Sequence, residues 1–329
     1  MSAALLKKTP AISVVIVNFN GGQLVLDCLA KLREQTLRPL EIILVDNASQ
    51  DGSGQRAETE FPEVNVIHAG ANLGFAKGNN LAVQKMHPDS EWIALLNPDA
   101  FPDPDWLLQL ALAAENHPEF AIFGSRLMDA NREQMLDGVG DAYHLSGLVW
   151  REGHGQAVTP AHLQQKEIFS CCAAAGLYRR DVFDQLGGFD EDYFCYVEDI
   201  DLGFRYLLAG YRCLYVPGSV ARHVGSAITG RRSDFSVYHG HRNLVWTYVK
   251  NMPGPLFWLC LPLHLMLNLV EVLHFARHGQ FQVIKRSKLD AIRQLPHFWK
   301  KRQQIQANRR VSIATVWGLL NKNLTGKRN

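Results

Sequence analysis

Four short runs of apolar, mostly β-branched residues, each followed by a longer amphipathic stretch, occupy the first 116 residues. They are ISVVIV (12–17) before 23–34, EIILV (41–45) before 53–60, VNVI (64–67) before 74–86 and WIALL (92–96) before 105–116. Runs that are apolar on both faces belong in a parallel sheet covered by helices on each side, so the alternation predicts a βαβ series. Sheets of this kind place ligands in the loops at the carboxyl ends of their strands. The size of the chain agrees: 329 residues give room for about two domains. With 47% apolar and 20% charged residues, a disordered, collagen-like or polytopic membrane chain is excluded.

The loops in question read NFNGG (18–22), DNASQDGS (46–53), AGANLGFAKGNN (69–80) and NPDAFPD (97–103). Turns favour Asn, Asp and Gly in any case. Four such loops in register at consecutive strand ends nevertheless predict a ligand site. The first loop carries no GxGxxG, and GxxxxGK[ST] occurs nowhere in the chain, which removes the dinucleotide and P-loop readings. An Asp ending the second strand, an Asn/Gly loop after the third and an Asp after the fourth suit a nucleotide diphosphate held with a metal.

The periodicity loosens after about residue 124 and recovers at 168–225, where Asp190, Glu191, Asp192, Glu198, Asp199 and Asp201 crowd into twelve residues. Like charges this close are costly in a low-dielectric site unless they share a cation or a proton. A helix is expected over 198–209, with the last three acids in its first turn. The six cysteines show no CxxC pairing, and MSAALLKKTP lacks an apolar signal core, so free thiols in a reducing cytoplasm are expected.

Charge is unevenly distributed. Residues 277–329 hold 13 of the 34 Lys and Arg and one acid, Asp290, a net +12 against −10 for the rest. Before them, 251–270 carries no formal charge. Pro253, Pro255 and Pro262 are expected to interrupt that stretch, and His264, Asn268, Glu271, His274 and His278 form one polar stripe. This pattern predicts a helix lying in, or dipping into, a membrane interface, followed by a basic tail on anionic headgroups. No nucleic-acid-binding motif accompanies the charge, so nucleic acid is not expected as a partner. The expected organisation is a catalytic domain over 1–250 and an apolar, then basic, helical membrane-associating extension over 251–329.

Seven stretches in order, SVVIVNFNG (13–21), VDNASQDGS (45–53), NLGFAKGNN (72–80), LLNPDA (95–100), LYRRDVFDQLGGFDEDYF (177–194), VEDIDLGFR (197–205) and ARHVGSAITGRRSDFSVYHGHRNLVW (221–246), resemble glycosyltransferase family 2 enzymes of the GT-A fold, in particular bacterial rhamnosyltransferase-like members. The resemblance implies an α/β, Rossmann-like, mostly parallel sheet with helices on both faces. It implies an inverting, metal-dependent transfer from a nucleotide sugar, dTDP-L-rhamnose first and a UDP-hexose or UDP-N-acetylhexosamine as the alternative. The acceptor implied is a lipid-linked glycan of O-antigen or capsule synthesis, at the cytoplasmic face of the inner membrane. A catalytically inactive, membrane-bound glycan-binding scaffold is the rival of another class, and retention of both Asp99 and Asp199 argues against it.

Carried over position by position, Asp46 is implied to contact the base. Asn72, Gly74, Asn79 and Asn80 lie near the nucleotide, together with Asn18 and Asn20 of the first loop and Asn97 of the fourth. Asp99 is the implied ligand of Mg²⁺ or Mn²⁺, with His223 completing that site. Asp199 is the implied base, with Glu198 as its alternate. Arg231, Arg232 and Asp190 are candidates for phosphate or acceptor contacts, with His239, His241 and Arg242 nearby. The metal motif is NPD rather than DxD, and Gly78-Asn79-Asn80 stands where many members have Ala-Arg-Asn, so no Arg contact is carried over from that motif.

Overall fold

The computed structural model describes residues 6, 8–225 and 233–323. The first half follows the predicted series: β1 (Ile12–Asn18), α1 (Gly22–Arg33), β2 (Glu41–Asp46), α2 (Ser53–Glu60), β3 (Val64–His68), α3 (Gly74–Gln84), β4 (Trp92–Leu96), a short β5 (Ala100–Pro102) and α4 (Trp106–Asn116). Strand β1 shows why. Ile12, Val14 and Ile16 enter the apolar cluster of α1 and α4, while Val15 and Val17 enter the one on the opposite face with α3. Both faces are covered, as the unbroken apolar run requires.

The loosely patterned middle holds short strands: β6 (Phe120–Asp129), β7 (Leu136–Gly138), β8 (Asp141–Tyr143), β9 (Val149–Arg151), β10 (Lys166–Ile168) and β11 (Ala175–Arg179). Then come α5 (Arg180–Gln185), α6 (Glu198–Leu208) and the long β12 (Arg212–His223). The main sheet runs β10-β12-β6-β11-β4-β1-β2-β3. Strands β4, β1, β2 and β3 are mutually parallel, and β11 is antiparallel to both its neighbours. Register sets Asn18 opposite Asp46, so the ligand-side loops leave the sheet at one level. Strand β12 shifts register between Val216 and Val220 and then pairs with β5, His223 opposite Ala100. This bulge brings His223 to the loop after β4.

Five helices follow among the described residues: α7 (Asp234–Asn251), α8 (Gly254–Arg277), α9 (Phe281–Arg293), α10 (Leu295–Ala307) and α11 (Ile313–Leu319). The boundary expected at 250 falls at the end of α7, and one apolar cluster crosses it. Tyr143, Phe169 and Phe204 pack in that cluster with Trp246, Phe257, Phe298 and Val316.

The crowded acids divide into two sets. Lys250, 1% exposed, pairs with Asp190 Oδ2 at 2.5 Å and Asp201 Oδ1 at 2.7 Å. Lys301 holds Asp190 and Asp192, His297 also meets Asp192, and Arg205 pairs with Asp201 at 2.8 Å. Three of the six acids therefore tie the C-terminal helices to the sheet domain. Although burial opposes it, Lys250 and Lys301 hold the Asp190 carboxyl well below its usual range. Asp190 thus anchors the C-terminal helices, and it is not among the residues that line the cavity described below.

Helix α8 is continuous through Pro262, with Pro253 at its cap and Pro255 in the first turn, where a missing N–H costs little. Two of the three expected interruptions are therefore a helix start. The first part of the polar stripe faces the protein: His264 bonds the Ser146 carbonyl at 2.7 Å and stacks on Tyr248, and Glu271 meets Lys288 at 2.6 Å and His241 at 3.1 Å. His274 and His278 at its end are exposed. The apolar side faces outward, with Trp258 64% and Leu265 60% exposed alongside Leu259, Met266 and Leu269.

Candidate active site

A cavity of about 980 Å³ opens where the loops after β1, β2 and β4 meet the start of α6 and one side of α7. Asn72, Gly74, Asn97, Asp99, Glu198, Asp199 and His223 line it, so seven of the sequence-derived residues converge. Asn72 Oδ1 accepts from Asn47 Nδ2 and from the Gly74 N–H, both at 3.0 Å. Gly74 has φ +77°, and a Cβ there would sit 2.5 Å from the Phe194 carbonyl, so the third loop closes on the turn before α6 only with glycine.

The other expected nucleotide contacts are not among the residues lining the cavity. Buried Asn18 donates to Ser53 Oγ at 2.8 Å and Ser49 Oγ at 3.1 Å and accepts the Gly21 N–H, knitting the first two loops together. Asn20 caps the Gln50 N–H at 2.7 Å. Asp46 meets Asn18 and His68, and a side chain at Gly54 would collide with its carboxylate. Asn79 bonds the Phe75 carbonyl within its own helix, and Asn80 clamps Phe189 through both its N–H and its carbonyl. None of these five lines the cavity among the described residues, and each has a structural partner that explains its type. Arg231 and Arg232 lie outside the described residues. Arg242 bonds the Tyr193 carbonyl at 3.0 Å and packs over Trp246, His239 stacks on Phe194, and His241 reaches the cavity edge.

At one end of the cavity Asn97, Asp99 and His223 form a corner. His223 Nε2 lies 3.3 Å from Asp99 Oδ1 and 3.3 Å from Asn97 Nδ2, while Nδ1 lies 2.8 Å from Asp137 Oδ2. Burial disfavours charge on this ring, but hydrogen bonds to Asp137 and Asp99 outweigh it and lift its pKa to about 9. Asn97 Oδ1 is buried without a hydrogen-bond partner among the described residues. A carboxylate, an unused amide oxygen and, with loss of its proton to the incoming ion, the His223 imidazole fit a divalent cation of the Mg²⁺ or Mn²⁺ type. Among the described residues no three His, Cys, Asp or Glu side chains are arranged to hold a metal ion by themselves, so such an ion would need ligands from a bound diphosphate.

At the head of α6, the turn Phe194–Val197 delivers Glu198 and Asp199. Phe194, Tyr196 and Val197 all have φ between 64° and 71°, strained for side-chain-bearing residues. Asn243 on α7 holds this turn, its amide donating to the Tyr193, Cys195 and Tyr196 carbonyls at 3.0, 3.0 and 2.7 Å. The two acids differ. Asp199 accepts the Ala173 N–H at 3.2 Å and the Ile200 N–H at 2.8 Å. Glu198 Oε2 has no partner among the described residues. Burial and the neighbouring Asp199 push Glu198 far above the carboxylate range. Burial also raises Asp199, held back by the Ala173 N–H and Arg151. Burial therefore acts against charge on both acids, and Asp199 differs in having two backbone N–H donors and Arg151 to offset it.

Asp137, Asp141, Arg151 and Asn47 also line the cavity and were not singled out by motif. Asp137 and Asp141 sit in LDGVGD (136–141), whose flanking glycines are the only local hint.

Comparison with known proteins follows this geometry. The family model for Glycosyl transferase family 2 matches residues 13–187, just over half of the chain. The chain belongs to glycosyltransferase family 2. An N-acetylglucosaminyl-diphospho-decaprenol L-rhamnosyltransferase of Mycobacterium tuberculosis is 32% identical over 242 residues, covering 68% of this chain and 79% of that one. Among solved structures, GalNAc-T7 with UDP, GalNAc and Mn²⁺ superposes with a TM-score of 0.60 at 16% identity, over 74% of this chain and 48% of that one, so this chain matches about half of its length. A mannosyltransferase of Pyrobaculum calidifontis in complex with GDP-Man and Mn²⁺ gives 0.54 at 17% identity, over 95% and 88% of the two chains. The fold is thus GT-A-like, and the family 2 chain is a glycosyltransferase of the bacterial rhamnosyltransferase-like kind.

Proposed function

We propose that the chain is an inverting L-rhamnosyltransferase that moves rhamnose from dTDP-L-rhamnose to a hydroxyl of a lipid-linked glycan in cell-surface polysaccharide synthesis, O-antigen or capsule. The observation that carries the reading is one cavity holding the Asn97–Asp99–His223 corner and, on another wall, the ionisable Asp199. Asn97, Asp99 and His223 would hold a divalent ion, Mg²⁺ or Mn²⁺, which supplies Lewis-acid stabilisation to the departing diphosphate. Asp199 takes the proton of the acceptor hydroxyl as its oxygen attacks the anomeric carbon. Its Ala173 and Ile200 N–H bonds fix the carboxylate for that transfer. The apolar cavity edge at Leu148, Trp150 and Leu244 gives the acceptor its entrance. The similarity to a diphospho-decaprenol rhamnosyltransferase supports both donor and acceptor class. Nucleotide release from dTDP-L-rhamnose and from a panel of UDP-sugars, each with Mg²⁺, Mn²⁺ or chelator, tests the donor. Metal-dependent release from dTDP-L-rhamnose is expected; preference for a UDP-sugar would remove the rhamnosyl assignment.

The anionic membrane surface at the cytoplasmic face is the second proposed partner, supported by α8. At 24 residues it is about 36 Å long, but its His264 and Glu271 side is bonded to the protein, so it is placed to lie along a bilayer, peripheral or monotopic, with its apolar side in the acyl region. Exposed Arg286 and Arg293 on α9 add cationic contacts. Replacing Leu265 and Leu269 together by Asp should lower binding to phosphatidylglycerol vesicles by about 10²–10⁴-fold, at about 1.5–3 kcal/mol per lost leucine, with nucleotide release from the soluble donor unchanged. Undiminished vesicle sedimentation of that variant would contradict the membrane role of α8.

A further inference from the structure

The cavity contains a charge problem that the proposed mechanism does not address. Five carboxyl groups line it: Asp99, Asp137, Asp141, Glu198 and Asp199. Among the described lining residues, one permanent cation answers them, Arg151 at the end of β9. Its guanidinium lies 2.5 Å from Asp137 Oδ2, 3.7 Å from Asp141 Oδ1 and 2.7 Å from Cys172 Sγ. Cys172 precedes Ala173, whose N–H bonds Asp199, so the guanidinium and the proposed base contact adjacent residues of one short loop. The stem reaches there by crossing Gly138, where a Cβ would overlap Arg151 Cγ and Cδ.

We infer that Arg151 is a positioning residue for the transfer reaction: its charge, delivered across Gly138, keeps Asp199 an available carboxylate inside a cluster of acids. The inference rests on the reading of Asp199 as base. The groups that face Asp199 are Glu198 on its own helix, Asp141 on β8, Arg151 on β9, Tyr178 on β11, and Cys172 and Cys195 on the flanking loops. The thiols and the phenol are raised by burial and stay neutral, and both other acids disfavour a further negative charge. Asp141 shows the pressure, since burial raises it to about 8 even with Arg151 beside it. A buried carboxylate that loses its one cation titrates higher, by about 1–3 pH units.

The test is a carboxyl titration of the full chain labelled with ¹³C-aspartate, the Asp199 resonance being the one lost in Asp199→Asn. Arg151→Gln is expected to raise the Asp199 midpoint by at least about one unit. Gly138→Ala, which removes no polar group and displaces the Arg151 stem, should raise it in the same direction. Arg151→Lys keeps a charge and should leave it nearer the wild-type value, and it carries the test together with Gly138→Ala if Arg151→Gln does not fold. The acid limb of turnover should move with the midpoint. A midpoint that stays in place in both Arg151→Gln and Gly138→Ala, or in Gly138→Ala alone where Arg151→Gln does not fold, overturns the role of Arg151. Wild-type turnover by Asp199→Asn would instead overturn the base assignment and leave the titration result standing.

Discussion

Asp199→Asn is expected to reduce sugar transfer by about 10²–10⁴-fold while leaving donor affinity unchanged, because it removes the proton acceptor without disturbing the nucleotide loops. The replacement is nearly isosteric, and its amide oxygen can still accept the Ala173 N–H that now holds the carboxylate. Glu198→Gln supplies the contrast. Burial and Asp199 push its carboxyl upward and oppose its charge, so replacement by the uncharged amide should cost less than about tenfold. Activity should rise with pH through the Asp199 titration, since only the ionised form accepts a proton, and burial places that limb above the ordinary aspartate value. Steady-state transfer and donor binding, measured across pH on both variants, separate these roles. Equal losses in the two, or the greater loss at Glu198, would exchange the assignments.

The second large effect concerns the Asn97–Asp99–His223 corner. Chelation, or Asp99→Asn, is expected to lower donor turnover on the order of 10³-fold, corresponding to several kcal/mol of charge stabilisation at the diphosphate. Asp99→Asn should also raise the Mn²⁺ concentration needed for half-maximal rate, with partial recovery at high metal. Asp137→Asn should behave as a milder version, weakening metal affinity by about 10–100-fold, because Asp137 accepts from His223 Nδ1 and thereby orients Nε2. Turnover indifferent to chelator would contradict this part of the account.

The parallel half of the sheet was legible because its strands are apolar on both faces, and the observed β1, β2, β3 and β4 begin within a residue of the runs that announced them. The middle was not, since β7, β8 and β9 have three residues each and leave no period to read. Asp137, Asp141 and Arg151 come from that stretch. In the legible loops, residue type did not reveal direction. Asn72 lines the cavity whereas Asn79 and Asn80, seven and eight positions later, serve the Phe75 carbonyl and Phe189. The acidic stretch could not be divided from sequence because the cations that claim Asp190, Asp192 and Asp201 include Lys250 and Lys301, far along the chain. The stripe on α8 was visible at its spacing, but only packing shows that its His264 and Glu271 face inward and leave the apolar side open.

The most direct test of the central claim is the anomeric configuration of the sugar that the purified full chain transfers from dTDP-L-rhamnose to a prenyl-diphosphate-linked N-acetylglucosamine in phosphatidylglycerol vesicles. A single displacement with Asp199 as base predicts a rhamnosylated lipid of configuration opposite to that in the donor, formed by the wild type and not by Asp199→Asn. A product that retains the donor configuration, or one that Asp199→Asn makes at the wild-type rate, would contradict it.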